Sequence, residues 1–151
     1  MQTRRKTLQH SAALAGLLAG AGLFPQFAHA FNAAAFDAKT LADALKALGV
    51  SAPQASKDVV LTAPDIAENG AVVPMGVATT LPGVKQILLV VEKNPSPLVA
   101  VFNVTDAVEP NMTTRAKMGQ SSDVYAVAIT SDGKAYFSKK EVKVTLGGCG
   151  G

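Results

Sequence analysis

Hydrophobic and polar residues alternate along most of the chain from residue 58 onward, and this pattern predicts short β-strands. The runs are rich in Val, Ile and Thr, and turn residues separate them at intervals of roughly 8–12 residues. Asp132-Gly133 is the strongest hairpin signal, because both central residues of a tight hairpin turn must tolerate positive φ. The sequence therefore predicts a mainly β fold, an immunoglobulin-like antiparallel β-sandwich. The predicted strands are Val59–Thr62, Val72–Ala78, Lys85–Glu92, Leu98–Thr105, Thr113–Met118, Asp123–Thr130, Lys134–Lys139 and Glu141–Leu146.

One helical pattern precedes the strands, at Phe36–Leu48. Asp37 or Thr40 is placed to cap the start of this helix. Gly49 is placed to end it, with Val50 folding back onto the last turn. We predict one N-terminal helix that packs on its own domain rather than on a partner. Three leucines share one face of it at helical spacing: Leu41, Leu45 and Leu48.

Residues 1–30 have the three parts of an export signal. Arg4 and Arg5 lie in a positively charged segment, an uncharged apolar run follows, and an Ala-X-Ala motif ends at Ala30. The apolar run is too short to cross a bilayer core of about 30 Å as a helix. Paired arginines suggest twin-arginine export, although Thr7 stands where such signals often carry Phe, so general secretion stays open. We expect cleavage after Ala30 and a periplasmic location.

Removing that signal changes the charge and the chemistry available to the chain. Three of the 14 basic residues and none of the 11 acidic residues lie in it, which leaves 11 of each. Balanced charge weakens the case for nucleic-acid binding. Both histidines, His10 and His29, are also removed, so no imidazole can ligate a metal or act as a base. A single cysteine excludes an internal disulfide and a thiolate metal cluster.

That cysteine stands close to the C-terminus between two pairs of glycines. A β-patterned run, residues 141–146, leads directly into them, so residues 31–146 are predicted to form the domain. Glycine has no side chain to pack and the largest backbone freedom, which predicts a flexible arm holding the thiol roughly 10 Å beyond Leu146. The plain alternative is a frayed tail with an incidental cysteine. The arm consists of Gly147, Gly148, Cys149, Gly150 and Gly151.

The predicted arm lacks the neighbours that would activate its own thiol. Cysteine reacts as the thiolate, which a nearby histidine, cation or helix N-terminus favours. The arm itself offers no histidine and no helix N-terminus. We therefore expect Cys149 to be an attachment point that the active sites of other proteins activate, with glycines that let the arm enter a narrow channel.

Charged residues elsewhere offer weaker candidates. Asp65 with Glu68, and Asp106 with Glu109, flank turns and would suit acid–base chemistry or oxygen ligation, but turn formation is the favoured interpretation. Three lysines before the arm would attract an anion or simply form a solvated strand face, which is favoured. No metal and no cofactor are expected. The lysines are Lys139, Lys140 and Lys143.

Residues 141–151 resemble the C-terminus of the SoxY family, the thiosulfate carriers of the bacterial sulfur-oxidising (Sox) system. Residues 61–74, the early amphipathic helix and the twin-arginine signal also resemble that family. The resemblance covers essentially all 151 residues, and the terminal pentapeptide is its most specific part. It implies a non-catalytic carrier whose cysteine, here Cys149, holds sulfur intermediates covalently during thiosulfate oxidation.

The same resemblance implies a set of partner proteins. A SoxZ-like subunit, another sandwich-type protein, would form a heterodimer with the chain. A haem-containing enzyme would couple thiosulfate oxidatively to Cys149, and a manganese hydrolase would then release sulfate. A molybdenum–haem sulfane dehydrogenase would oxidise the remaining sulfur. Neither a membrane anchor nor nucleic acid is implied.

Two other functions compete with the carrier. An exported structural sandwich would use Cys149 only to dimerise. Ubiquitin-like sulfur carriers also end in Gly-Gly, but they need cytoplasmic ATP and a small β-grasp fold, which an export signal and eight short strands contradict. Blocking the thiol would end function in a covalent carrier, spare a ubiquitin-like carrier, and only dissolve dimers of a structural protein.

Overall fold

The computed structural model describes residues 32–50 and 52–145. The chain divides into two units, Met1–Phe31 and Asn32–Gly151, and every described residue belongs to the second. The predicted signal and the predicted arm therefore lie outside the described residues. Within the described ranges there are two helices, α1 (Ala33–Asp37) and α2 (Leu41–Ala47), followed by nine strands. The strands are β1 (Gln54–Ala55), β2 (Val59–Thr62), β3 (Ile66–Ala67), β4 (Val73–Thr79), β5 (Val84–Val91), β6 (Leu98–Asn103), β7 (Asn111–Ala116), β8 (Ser122–Thr130) and β9 (Ala135–Val144).

The strands form two sheets, as the mainly β sandwich prediction requires. The larger sheet has the order β1-β9-β8-β5-β6, and β3 also pairs with β9. The smaller sheet has the order β2-β4-β7. Neighbours are antiparallel except for β1 and β3, which each run parallel to β9 over two residues. These two strands were not predicted, because two residues are too few to leave an alternating pattern in the sequence.

The space between the sheets is filled by one hydrophobic core. The inward residues of β4 pack towards the inward residues of β5 and β8, and this alternation is what the strand pattern predicts. Fully or almost fully buried members include Val73, Met75, Val77, Ile87, Leu89, Val91, Val124 and Val142.

A second core lies on the other face of the larger sheet, beneath the helices. Leu88 and Val90 of β5 are fully buried there, so this strand is covered on both faces and reads as an unbroken apolar run. Ala44 and Leu45 of α2 pack against the same cluster. The prediction that the helical segment packs on its own domain is confirmed. Among the described residues, no helix has the length and apolar character of a membrane span.

The single predicted helix, Phe36–Leu48, is wrong, because two short helices occupy this part of the chain. Ala38 adopts an extended ψ of 145°, which ends α1. Thr40 then caps α2, its hydroxyl oxygen accepting from the Asp43 backbone N–H at 3.1 Å. Because the Thr40 side chain bonds the backbone locally, it favours the start of a new helix over continuation of the first one. Helix α1 has the same kind of cap, in which the Asn32 side-chain oxygen accepts from the Ala35 N–H.

The end of α2 follows the prediction. Gly49 adopts a φ of 75°, the left-handed conformation that glycine tolerates best. The Val50 N–H donates to the Leu45 carbonyl at 2.9 Å, and the Gly49 N–H donates to the Lys46 carbonyl at 3.0 Å. Val50 is buried in the helix-side core, so the chain folds back onto the last turn as expected.

The last two predicted strands are one strand, β9, and their separation at Lys140 is wrong. Pairing with β8 continues without a break from Ser122 opposite Val142 to Ile129 opposite Ala135. Lys140 is no turn residue, and its backbone follows the ladder. The position of the predicted turn between β8 and β9 is confirmed, with Gly133 at a φ of 79°, but Asp132 does not adopt the positive φ that the tight two-residue turn would require. Strand β9 is therefore a single ten-residue strand that ends at Val144.

Candidate functional site

The predicted attachment site begins where the described chain stops. Thr145 is the last described residue, so the structure shows the strand that leads towards the predicted arm. Cys149 and the four glycines around it lie outside the described residues. The same holds for Arg4, Arg5 and the proposed cleavage after Ala30. The described part of the site is the end of β9 and the residues that contact it.

The end of β9 has one buried face and one exposed face. Val142 is fully buried, and Val144 is half-buried against the core between the sheets. Glu141, Lys143 and Thr145 are exposed. This is the alternation that the sequence predicts. Because the apolar face is buried up to Val144, the strand is held in the domain to within a residue of its described end.

Backbone hydrogen bonds hold this strand end from both edges. On the β3 side, the Lys143 N–H donates to the Asp65 carbonyl at 3.0 Å, and the Thr145 N–H donates to the Ala67 carbonyl at 3.1 Å. On the other side, the Val144 N–H donates to the hydroxyl oxygen of Ser121 at 2.9 Å. Three consecutive N–H groups are thus paired, which holds the described end of this segment in the domain.

Gly70 packs against the same strand end without a side chain. Its carbonyl accepts from the Met118 N–H at 2.7 Å. A β-carbon built on Gly70 would overlap the Met118 carbonyl oxygen and lie 2.8 Å from Val144 Cγ1. The role of Gly70 is to let the loop before β4 close on β9. The sequence gives no sign of this role, because the close approach of two distant segments leaves no local pattern.

The three lysines before the arm do not form one cationic cluster. Lys140 pairs with Asp65 at 2.9 Å and donates to the Ala63 carbonyl at 2.7 Å. Lys139 pairs with Asp123 at 3.0 Å, and the hydrogen bond that its ammonium group donates to this carboxylate raises the pKa of Lys139. Lys140 also projects from the opposite face of β9 to the other two, as strand alternation requires.

The candidate carboxylate pairs are separated or exposed. Asp65 bonds Lys140, and both Asp65 and Glu68 are exposed beside β3. Asp106 and Glu109 are exposed in the loop between β6 and β7. Within residues 32–50 and 52–145, no group of three or more His, Cys, Asp or Glu side chains is arranged to hold a metal ion. These positions are consistent with turn-forming residues.

Comparison with known proteins shows the family to which the chain belongs. A sequence profile of the family of sulfur oxidation protein SoxY matches residues 44–149. Among solved structures, the sulfur carrier protein SoxY from Chlorobium limicola f thiosulfatophilum is 40% identical, with a TM-score of 0.57. That alignment covers 64% of this chain and 87% of the other. A search of curated proteins found no match.

Other solved structures share the fold at low identity. One variant of superoxide reductase (neelaredoxin) from Ignicoccus hospitalis is 18% identical with a TM-score of 0.51, covering 58% of this chain and 79% of the other. A second variant of the same protein is 19% identical with a TM-score of 0.51, covering 66% of this chain and 87% of the other. At such identities the likeness concerns the sandwich architecture alone.

Proposed function

Because the chain belongs to the SoxY family of sulfur carrier proteins, we propose that it carries sulfur intermediates covalently on Cys149 during thiosulfate oxidation. The observation that supports this assignment is the extent of the family match, which runs from residue 44 to residue 149 and so ends on the only cysteine of the chain. A thiol on a short glycine segment suits attachment and transfer, because little besides sulfur must enter a partner's active site.

The proposed chemistry leaves catalysis to the partners. In the loading step, the thiol of Cys149 and thiosulfate form a sulfur–sulfur bond, giving Cys149–S–S–SO₃⁻ with loss of one proton and two electrons. The electrons pass to a haem-containing coupling enzyme. Water then cleaves the terminal sulfur–sulfur bond in a manganese hydrolase, which releases sulfate and leaves a persulfide on Cys149. A sulfane dehydrogenase oxidises the remaining sulfur.

The domain itself holds one end of the arm in place. The other end, which carries Cys149, can then enter the active site of a partner enzyme. The paired N–H groups of Lys143, Val144 and Thr145 hold the strand end in the domain. Residues 146–149 then reach up to roughly 13 Å from that base when extended. A partner must therefore bind close to the end of β9, because the thiol cannot travel farther from it.

The remaining parts of the proposal concern location and assembly. Residues 1–30 act as a twin-arginine export signal, and cleavage after Ala30 releases the carrier into the periplasm. A SoxZ-like sandwich subunit forms a heterodimer with the carrier. The carrier itself is non-catalytic and needs no bound cofactor.

Reconstitution with purified partner enzymes tests the proposal. Cys149→Ser should abolish sulfate release from thiosulfate, since a hydroxyl oxygen cannot form the sulfur–sulfur bond. Its melting temperature should equal that of the native protein. Full sulfate release by Cys149→Ser would reject covalent carriage. If the substitution only removed the dimer band in non-reducing electrophoresis, the chain would be a structural sandwich that dimerises through Cys149.

A further inference from the structure

Exposed hydrophobic side chains lie beside the described end of β9. Ile66, in β3, is 56% exposed, and Val72, directly before β4, is 51% exposed. The other large hydrophobic residues that are exposed in the described part of the chain, Val60 and Val108, lie in β2 and in the loop between β6 and β7. Isolated exposed apolar residues are ordinary on a protein surface, but two that adjoin one strand end form a candidate contact surface.

Strand β3 holds Ile66 directly beside β9. Ile66 stands opposite Lys143 in the parallel register of the two strands. Neighbouring strands lie about 4.8 Å apart, so the backbone of Ile66 is one strand spacing from β9. The next residue, Ala67, is buried, and its carbonyl accepts from the Thr145 N–H at 3.1 Å. Because successive side chains of a strand alternate, the buried position of Ala67 directs Ile66 towards solvent.

The packing of Gly70 holds Val72 near the same strand end. Gly70 lies against Val144 without a side chain, and its carbonyl accepts from the Met118 N–H at 2.7 Å. Val72 follows two residues later, which is at most about 7 Å of chain. Val73 is fully buried, so its neighbour Val72 stands on the solvent side. We call the pair of side chains, Ile66 and Val72, the apolar collar.

The length of chain beyond Thr145 limits which surface an enzyme must contact. Cys149 is four residues beyond Thr145, a reach of roughly 13 Å when the chain is extended. An enzyme that reacts with Cys149 therefore brings its active site within this distance of the end of β9, and a channel in front of that active site brings the enzyme surface closer still. The apolar collar lies inside this distance, so such an enzyme contacts it.

We propose that the apolar collar is the docking contact for an enzyme that receives Cys149, and that this enzyme carries an apolar rim around the channel that the arm enters. The proposal rests on the carrier function, because only a reacting thiol obliges an enzyme to approach the end of β9. Two side chains bury much less surface than a stable interface does, so the complex is transient. Transient docking suits a carrier that leaves one enzyme and binds the next.

Steady-state kinetics of the sulfate-releasing hydrolase tests the collar, with the carrier purified as its heterodimer and loaded chemically. The Cys149 thiolate attacks tetrathionate, forming Cys149–S–S–SO₃⁻ while thiosulfate leaves with the electron pair of the broken bond. Each variant is thus loaded without the coupling enzyme, and its intact mass measures the extent of loading. The rate of sulfate release is then measured against the concentration of loaded carrier, which gives kcat and KM separately.

Ile66→Thr and Val72→Thr place a hydroxyl group in the collar and keep a β-branched side chain. Each should raise KM about tenfold, the change in affinity expected from one buried aliphatic side chain. The value of kcat should stay unchanged, because docking contributes equally to the bound substrate and to the transition state. The matched control is Val60→Thr, which should keep the native KM. Val60 is also 51% exposed but stands opposite Ala78, six residues and roughly 20 Å along the chain from Val72.

Native KM values in both collar variants would overturn the proposal, and so would an equal rise of KM in Val60→Thr. Weaker association of the collar variants with the SoxZ-like subunit, at a native KM for the hydrolase, would overturn it as well by assigning the collar to that subunit. The carrier function fails by a different result, sulfate release from thiosulfate by Cys149→Ser with the full set of partner enzymes.

Discussion

Gly70 and Val144 approach so closely that a β-carbon on Gly70 would lie 2.8 Å from Val144 Cγ1. The two residues are far apart in sequence, and their contact joins the loop before β4 to the last residue of β9. The Met118 carbonyl oxygen closes the same position from another side. The absence of a side chain at Gly70 is therefore a condition for the strand end to sit where it does.

Adding one methyl group at Gly70 should destabilise the domain. We expect Gly70→Ala to lower the free energy of unfolding by about 1–3 kcal/mol, because either the Met118 backbone or Val144 must move. Urea denaturation measures this change. Gly119→Ala is the matched control, since a β-carbon there meets nothing within 4 Å, and it should stay within about 0.5 kcal/mol. Equal stability of the two variants would contradict the close packing.

The turn between β8 and β9 should make stability depend on pH in acid. Hydrogen bonds from Lys134 and Thr130 lower the pKa of Asp132 from 3.8 to about 2. A lowered carboxyl pKa in the folded state means that the stabilisation is complete above the unfolded value. It is lost as the pH falls from about 4 through about 2.

Replacing Asp132 should remove this part of the pH dependence. We expect Asp132→Asn to flatten the curve of unfolding free energy against pH between about 4 and 2, because an amide does not titrate there. Lys134→Gln should flatten it in part, since the ammonium group of Lys134 is the largest cause of the lowered pKa. Unfolding curves at a series of pH values measure both effects. An unchanged slope in Asp132→Asn would show that other groups cause the dependence.

The glycines that flank Cys149 should matter for access and not for folding. Gly148→Val and Gly150→Val should keep the thiol titratable yet slow sulfate release, because a β-branched side chain stiffens and widens the arm. Stability should stay within about 0.5 kcal/mol, as for other surface changes. Deleting Gly150 and Gly151 should act similarly by bringing the terminal carboxylate up to the sulfur.

Three measurements separate the outcomes for these arm variants: melting temperature, thiol count and sulfate release with purified partners. Full activity in the valine variants would show that the glycines are not needed for access. A large loss of melting temperature would show instead that the terminal segment packs against the domain.

Strand positions could largely be predicted from the sequence, because alternation records burial directly. Val142 and Val144 alternate with Glu141, Lys143 and Thr145, and each side of β9 is buried or exposed as that order predicts. The capped ends of α2 could be predicted as well, because Thr40 and Gly49 act within a few residues of the chain.

Features set by distant contacts could not be predicted. The break between α1 and α2 was missed because alanines, which favour helix, occur on both sides of it. The cap that Thr40 forms acts on α2 alone. The short parallel pairing of β3 with β9 depends on how the chain after β2 is placed beside β9. The packing of Gly70 and the ion pair of Lys140 with Asp65, 75 positions away, also depend on contacts between distant parts of the chain.

The intact mass of the protein after incubation with thiosulfate and the partner coupling enzyme tests covalent carriage most directly. Covalent carriage predicts a mass increase of one thiosulfate-derived group, located on the C-terminal peptide that contains Cys149 and removed by a thiol reductant. Cys149→Ser should show no increase under the same conditions. An unmodified native protein during active thiosulfate oxidation, or an adduct that persists in Cys149→Ser, would contradict it.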